Sequence, residues 1–241
     1  MPTEVLDRVE GRSGELVLRR RSGHLEVILN GAFLISTENE ASSRAMVTAG
    51  LEAVALPVPD PGSQAATGSG AASAEGHSLD VLIGGLGLGY ALDEALASPR
   101  VGRVTVVEYE PTVVRWFEEH GAERAARAAA DRARAAIVVA DVADVLRDRP
   151  GAFDLVCLDT DNGPGWLVRE ANAGLYDEAG VRLAHEALRR GGAAVFWSTQ
   201  RYPEFEARLR AAFGGVRAAG AHDVVAGRRH EYVMYVARRV D

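Results

Sequence analysis

Three carboxylates stand immediately after apolar runs, where a buried strand would deliver a side chain to the edge of a sheet. Glu108 follows Val104-Thr105-Val106-Val107, Asp141 follows Ala136-Ile137-Val138-Val139-Ala140, and Asp159 follows Phe153-Asp154-Leu155-Val156-Cys157-Leu158. In an open α/β sheet, ligands bind outside the carboxyl ends of the strands, so these residues form one candidate site. Glu108 is suited to accept from two adjacent ribose hydroxyls. Asp141 is suited to accept from the exocyclic amine of adenine, or to cap a helix over 142–147. Asp159 is suited to attract an ammonium and take its proton, which frees the amine lone pair for attack. It opens the Gly/Pro loop Asp159-Thr160-Asp161-Asn162-Gly163-Pro164-Gly165, where Asp161 would assist and where an Asx-turn is the structural alternative for Asp161 or Asn162. Trp166, at the end of that loop, is a candidate for covering a substrate.

The run Val81-Leu82-Ile83-Gly84-Gly85-Leu86-Gly87-Leu88-Gly89 completes the constellation. An apolar run opening into glycines reads as a buried parallel strand feeding a tight turn, whose backbone N–H groups meet a ligand at a helix N-terminus. Gly85, Gly87 and Gly89 give G-x-G-x-G, whereas the dinucleotide spacing G-x-G-x-x-G requires glycine where Tyr90 stands. A single nucleoside is therefore expected, not NAD. Other chemistries find no support. The six histidines lack metal-ligand spacing, no G-x-S-x-G elbow or G-x-x-x-x-G-K phosphate loop is present, and Cys157 sits within an apolar strand. No metal site is expected.

The elements that must position these groups follow from periodicity. Strands are predicted near 81–84, 103–108, 136–140, 153–158 and 192–197, with helical segments between them, including 121–135. This alternation is that of an α/β, doubly wound parallel sheet. Asp223-Val224-Val225 and Tyr232-Val233-Met234-Tyr235-Val236 read as an antiparallel pair closing one edge, as in a methyltransferase-type Rossmann fold. Residues 15–36 alternate across the turn signals Ser22-Gly23 and Asn30-Gly31, which predicts a small antiparallel sheet first. The division expected is 1–56 as a small N-terminal β-hairpin domain with a helix, 57–78 as a Pro/Gly/Ser/Ala-rich linker, and 79–241 as the nucleoside-binding Rossmann domain. With 241 residues, 47% of them hydrophobic, the chain can bury a full core. A net charge of −7 argues against broad nucleic-acid contact, and Arg19-Arg20-Arg21 reads as a solvated hairpin edge. No apolar stretch suggests a membrane span or an export signal, and a single cysteine suits a reducing cytoplasm.

The order of these features resembles the spermidine synthase-like family, aminopropyltransferases in which a small β domain precedes a methyltransferase-type Rossmann domain. Leu29-Asn30-Gly31, then Ser36-Thr37-Glu38-Asn39-Glu40 and Met46, is similar to that family's L-D-G…T-x-x-D-E…M segment. Phe153-Asp154-Leu155-Val156-Cys157-Leu158-Asp159 is similar to its Y-D-V-I-I-x-D strand, and Leu175-Tyr176 through Leu188-Arg189-Arg190-Gly191-Gly192 to its F-Y…L-K-P-G-G segment. The resemblance implies an S-adenosylmethionine or decarboxylated S-adenosylmethionine donor and a small-molecule acceptor. It also implies that Glu40 and Asn162 contribute to substrate binding. Five recognition positions depart from the family. Leu34, Ser43 and Arg44 stand where a glutamine, a tyrosine and a histidine or glutamine help hold donor and polyamine, and Gly87 replaces the aspartate that meets the donor's ammonium. Asn162 stands for the second aspartate of the gate loop. Ordinary spermidine synthesis is thus not expected. The expectation is a cytoplasmic transferase that moves a methyl or aminocarboxypropyl group from S-adenosylmethionine to a small amine. Aminopropyl transfer in polyamine biosynthesis and a non-catalytic nucleoside-binding role are the alternatives, and homodimerisation is left open.

Overall fold

A computed structural model describes residues 3–38, 40–54, 78–131, 133–160, 162–225 and 227–240. Four strands come first, β1 (Thr3–Gly11), β2 (Gly14–Arg21), β3 (His24–Leu29) and β4 (Ala32–Ser36), in an antiparallel meander of that order. Both predicted turns form: Ser22-Gly23 and Asn30-Gly31 have positive φ at both central positions, the geometry that matches the twist of a two-residue hairpin. Strand β1 was not predicted. Its sequence alternates poorly because the pairing with β2 shifts register between Val5 and Asp7, and as an edge strand it leaves Val5 51% exposed.

Helix α1 (Glu40–Ala53) leads to the second sheet. There follow β5 (Leu79–Gly84), α2 (Tyr90–Ala97), β6 (Val101–Glu108), α3 (Pro111–His120), α4 (Ala122–Ala130), β7 (Ala135–Val139), α5 (Val142–Asp148) and β8 (Phe153–Leu158). Then come α6 (Ala173–Tyr176), α7 (Glu178–Ala187), β9 (Leu188–Ser198), α8 (Pro203–Ala212), β10 (Gly215–Val225) and β11 (Arg228–Arg238). The seven strands are ordered β10-β11-β9-β8-β5-β6-β7, with β11 antiparallel to both neighbours and the rest parallel. This is the α/β, methyltransferase-type doubly wound sheet, preceded by a small β sheet. Its strand order reverses between β5 and β8, which opens a crevice at their carboxyl ends. Strand β8 is buried along its whole length, as its largely apolar run, broken only by Asp154, requires of a central parallel strand. The closing hairpin is longer than expected, because β10 and β11 pair without interruption from Gly215–Arg238 to Val225–Arg228. The predicted linker, 57–78, lies outside the described residues except for Ser78.

The small sheet is fastened to the large one at two levels. Leu16, Leu18, Val27 and Leu29 bury against Leu88, Tyr90 and Trp116. At the β1–β2 turn, the backbone N–H groups of Arg12 and Ser13 donate to the Glu110 carboxylate, at 2.9 and 2.6 Å. Asp223 of β10 accepts from the N–H of Ala41 at 2.8 Å and so satisfies an otherwise unpaired donor in the first turn of α1. Among the described residues, no helix is long and apolar enough to cross a membrane.

Candidate functional site

The crevice at the β5/β8 switch is a cavity of about 930 Å³, walled by the small sheet, the start of α1, the glycine loop, the ends of β6 and β8, and the β10–β11 hairpin. Gly85 lies at its floor with φ +96°, and a Cβ there would stand 2.2 Å from the Asp159 carbonyl oxygen. Only glycine lets the ends of β5 and β8 approach so closely. Gly87, at φ +52°, also lines the cavity, and a Cβ on it would press to 2.8 Å from the Ile35 δ-methyl. Gly89 sits just behind, at the N-cap of α2, and does not line the cavity.

Glu108 is buried at the end of β6. Its carboxylate accepts from the backbone N–H groups of Leu86 and Glu110, each at 2.9 Å, so it ties the glycine loop to the start of α3. Burial raises its pKa, and the backbone donors act in the opposite direction. A carboxylate has about four lone-pair sites, so these bonds leave it acceptor capacity. Asp141 caps α5 through the Ala143 N–H at 2.9 Å and pairs with Arg169 at 2.9 Å. It stands beside the cavity, whereas its neighbours Ala140 and Val142 line it. The Arg169 guanidinium lies 3.7 Å from the centre of the Tyr109 ring, a cation–π contact across the same end of the cavity.

Asp159 lines the cavity one residue beyond β8, beside the glycine loop. The Ser43 hydroxyl hydrogen-bonds its carboxylate, yet burial, helped by the nearby Asp223, pushes its pKa up to about 7. A carboxyl poised there can hold or release a proton near neutral pH, as a general base must. Asn162 is buried and lines the cavity, its carbonyl accepting from the Thr199 N–H at 3.1 Å. Trp166 lines it from an exposed position, 56% accessible. Glu40 is exposed at the start of α1, paired with Arg44 at 3.4 Å and away from the cavity lining. Asp161 lies outside the described residues. Among the departures from the family pattern, Leu34 and Ser43 line the cavity, whereas Arg44 turns away to pair with Asp93 at 2.9 Å.

The structure corrects the reading of the arginine triplet. Strand β2 is internal to its sheet, and Arg19 and Arg21 both pair with the buried Glu26, at 2.6 Å each, while lining the cavity. Only Arg20 is a surface residue, paired with Glu4 at 3.1 Å. Trp197, in the apolar run that forms β9, lines the cavity and packs against Tyr232 with ring centres 4.8 Å apart. Arg228, His230 and Tyr232 alternate along β11 and line the cavity together. That period-two spacing was the available signal for them. Among the described residues, no group of three or more His, Cys, Asp or Glu side chains is arranged to hold a metal ion. Cys157 is fully buried, and burial raises its thiol pKa, so it packs without reacting.

Comparison of the whole fold with solved structures gives extensive matches. One is a spermidine synthase in complex with the transition-state analogue AdoDATO, at a TM-score of 0.72 and 16% identity, covering 99% of this chain and 75% of that one. The chain has a spermidine synthase-like fold. The spermidine synthase of Thermotoga maritima matches at a TM-score of 0.70 and 16% identity, over 99% of this chain and 73% of that one. No protein-family model matches the sequence, and no curated protein matches it. The spermidine synthase-like fold is thus formed by a sequence only 16% identical to either structure.

Proposed function

We propose that this chain is a transferase that binds an S-adenosyl sulfonium donor and alkylates a small amine acceptor. The observation that carries the reading is the convergence of Gly85, Glu108 and Asp159 on one cavity at the sheet's switch point. The cavity suits the donor's nucleoside: the glycine loop offers close backbone approach, and Glu108 offers acceptor sites for ribose hydroxyls. When bound, such a donor supplies an electrophilic carbon beside its sulfonium. The protein's own work is alignment and proton transfer. Asp159 receives the proton of the acceptor's ammonium, Ser43 orients its carboxylate, and Trp166 and the loop that carries it shield the site from water.

The transferred group we assign is methyl or aminocarboxypropyl, from S-adenosylmethionine. A carboxylate at position 87 would face the decarboxylated donor's ammonium; Gly87 supplies none, and Ile35 crowds the space a side chain there would need. Without that charge, repulsion against the carboxylate of full S-adenosylmethionine is also removed. A spermidine synthase crystallised with AdoDATO favours a second reading, aminopropyl transfer from decarboxylated S-adenosylmethionine. Calorimetric titration with both donors in one buffer separates the two. S-Adenosylmethionine should bind about tenfold or more tightly, the size of one charged hydrogen bond. A tenfold preference for the decarboxylated donor would replace methyl or aminocarboxypropyl transfer with the aminopropyl reading.

A further inference from the structure

The lining that the small sheet and the closing hairpin contribute to the cavity is cationic. Arg19 and Arg21 share one carboxylate, that of the buried Glu26, so the trio retains one positive charge. Arg228 adds another from the exposed end of β11, where it makes no ion pair among the described residues, and His230 follows it on the same face. A second, independent observation concerns hydrogen-bond polarity. The Trp197 indole Nε1 is buried and has no hydrogen-bond partner among the described residues, and its ring lies against Tyr232 of the same hairpin. An indole N–H is a donor only, so it can be completed only by an acceptor atom. A polyamine brings ammonium groups, which are donors only and repel arginine. It can neither complete Trp197 nor balance the charge.

We infer that the acceptor carries, at the end away from its nucleophilic amine, an anionic oxygen-bearing group such as a carboxylate, received between Arg228, Arg21 and the Trp197 N–H. The acceptor class is then an amino acid or related amino-acid-like anion, not a diamine. Specificity arises because the same three groups that attract an oxyanion reject a second ammonium. The inference rests on the transferase reading only for the word acceptor; the binding preference stands by itself.

The test uses two probes of equal length that differ in one end group, 5-aminopentanoate and 1,5-diaminopentane. They are titrated calorimetrically into the full chain, with and without 5′-methylthioadenosine. The aminopentanoate should bind at least about tenfold more tightly. Arg228→Gln, at an exposed position, should remove most of that preference, and Trp197→Phe, which keeps the ring and deletes the N–H, should reduce it several-fold. Equal or tighter binding of the diamine, no binding of either probe, or an unchanged preference in both variants would overturn the proposal. So would an Arg228→Gln defect confined to S-adenosylmethionine affinity, since the arginine would then serve the donor. Failure of methylthioadenosine to bind would instead strike the transferase reading and leave the probe comparison intact.

Discussion

Of the carboxylates around the glycine loop, Glu108, Glu110 and Asp141 are held by the protein's own backbone, whereas Asp159 meets a side chain. Glu108 and Glu110 each accept two backbone N–H groups, and Asp141 caps a helix. Asp159 is steadied by the Ser43 hydroxyl and carries a pKa near 7, and the same cavity is lined by Arg228, which makes no ion pair among the described residues, and by Trp197, whose indole N–H has no partner among them. Backbone-held carboxylates are fixed by the fold and change little when a ligand arrives. Side-chain-held ones are set by local chemistry, and they are where a common scaffold acquires its own substrate.

The sharpest way to break this contrast is to exchange charge for shape at Asp159. Asp159→Asn should lower turnover with any acceptor by about a hundredfold or more while leaving donor affinity nearly intact, as measured by steady-state kinetics beside calorimetry. Equal turnover in the variant would remove Asp159 from the chemistry. At Glu110 the expected loss is structural. Glu110→Ala deletes the acceptor of two charged hydrogen bonds that fasten the β1–β2 turn, and should cost about 2–4 kcal/mol in denaturant unfolding. A change below about 0.5 kcal/mol would show that apolar packing alone fastens the small sheet.

A smaller effect follows from the pKa of Asp159. Its folded pKa, about 7, exceeds the ordinary 3.8, so between those values the native state binds more protons than the unfolded chain. Stability from this group is therefore greatest below about pH 4 and is lost as pH rises toward 7. Asp159→Asn should melt a few degrees above the parent at pH 8, and the difference should shrink toward zero near pH 4. A variant less stable than the parent at pH 8 would mean that the ionised carboxylate is better solvated than its burial implies.

The same contrast governs how much was legible in the sequence. The glycine loop, Glu108 and Asp159 were visible because each ends an apolar run, and strand ends at a switch point have a fixed place in the fold. Asp141 was legible as a helix cap for the same reason. Strand β1 was hidden by its register shift, and Arg19 and Arg21 by a charge run that looks solvated until Glu26 is seen buried between them. Trp197 and Arg228 line one cavity only because β9 pairs edge to edge with the β10–β11 hairpin. Side chains gathered from strands distant in sequence leave no local pattern, which is why the donor side could be read ahead and the acceptor side could not.

The central claim is that the glycine loop and Glu108 hold an adenosyl sulfonium donor, and thermal melting with S-adenosylmethionine tests it most directly. At a hundred times its dissociation constant the donor should add about 2.7 kcal/mol, or roughly 5–10 °C for a chain of this size. Glu108→Gln should lose most of that shift, and NAD at the same concentration should produce none, because Tyr90 breaks the dinucleotide spacing. No shift with S-adenosylmethionine, or a shift with NAD alone, would contradict the account.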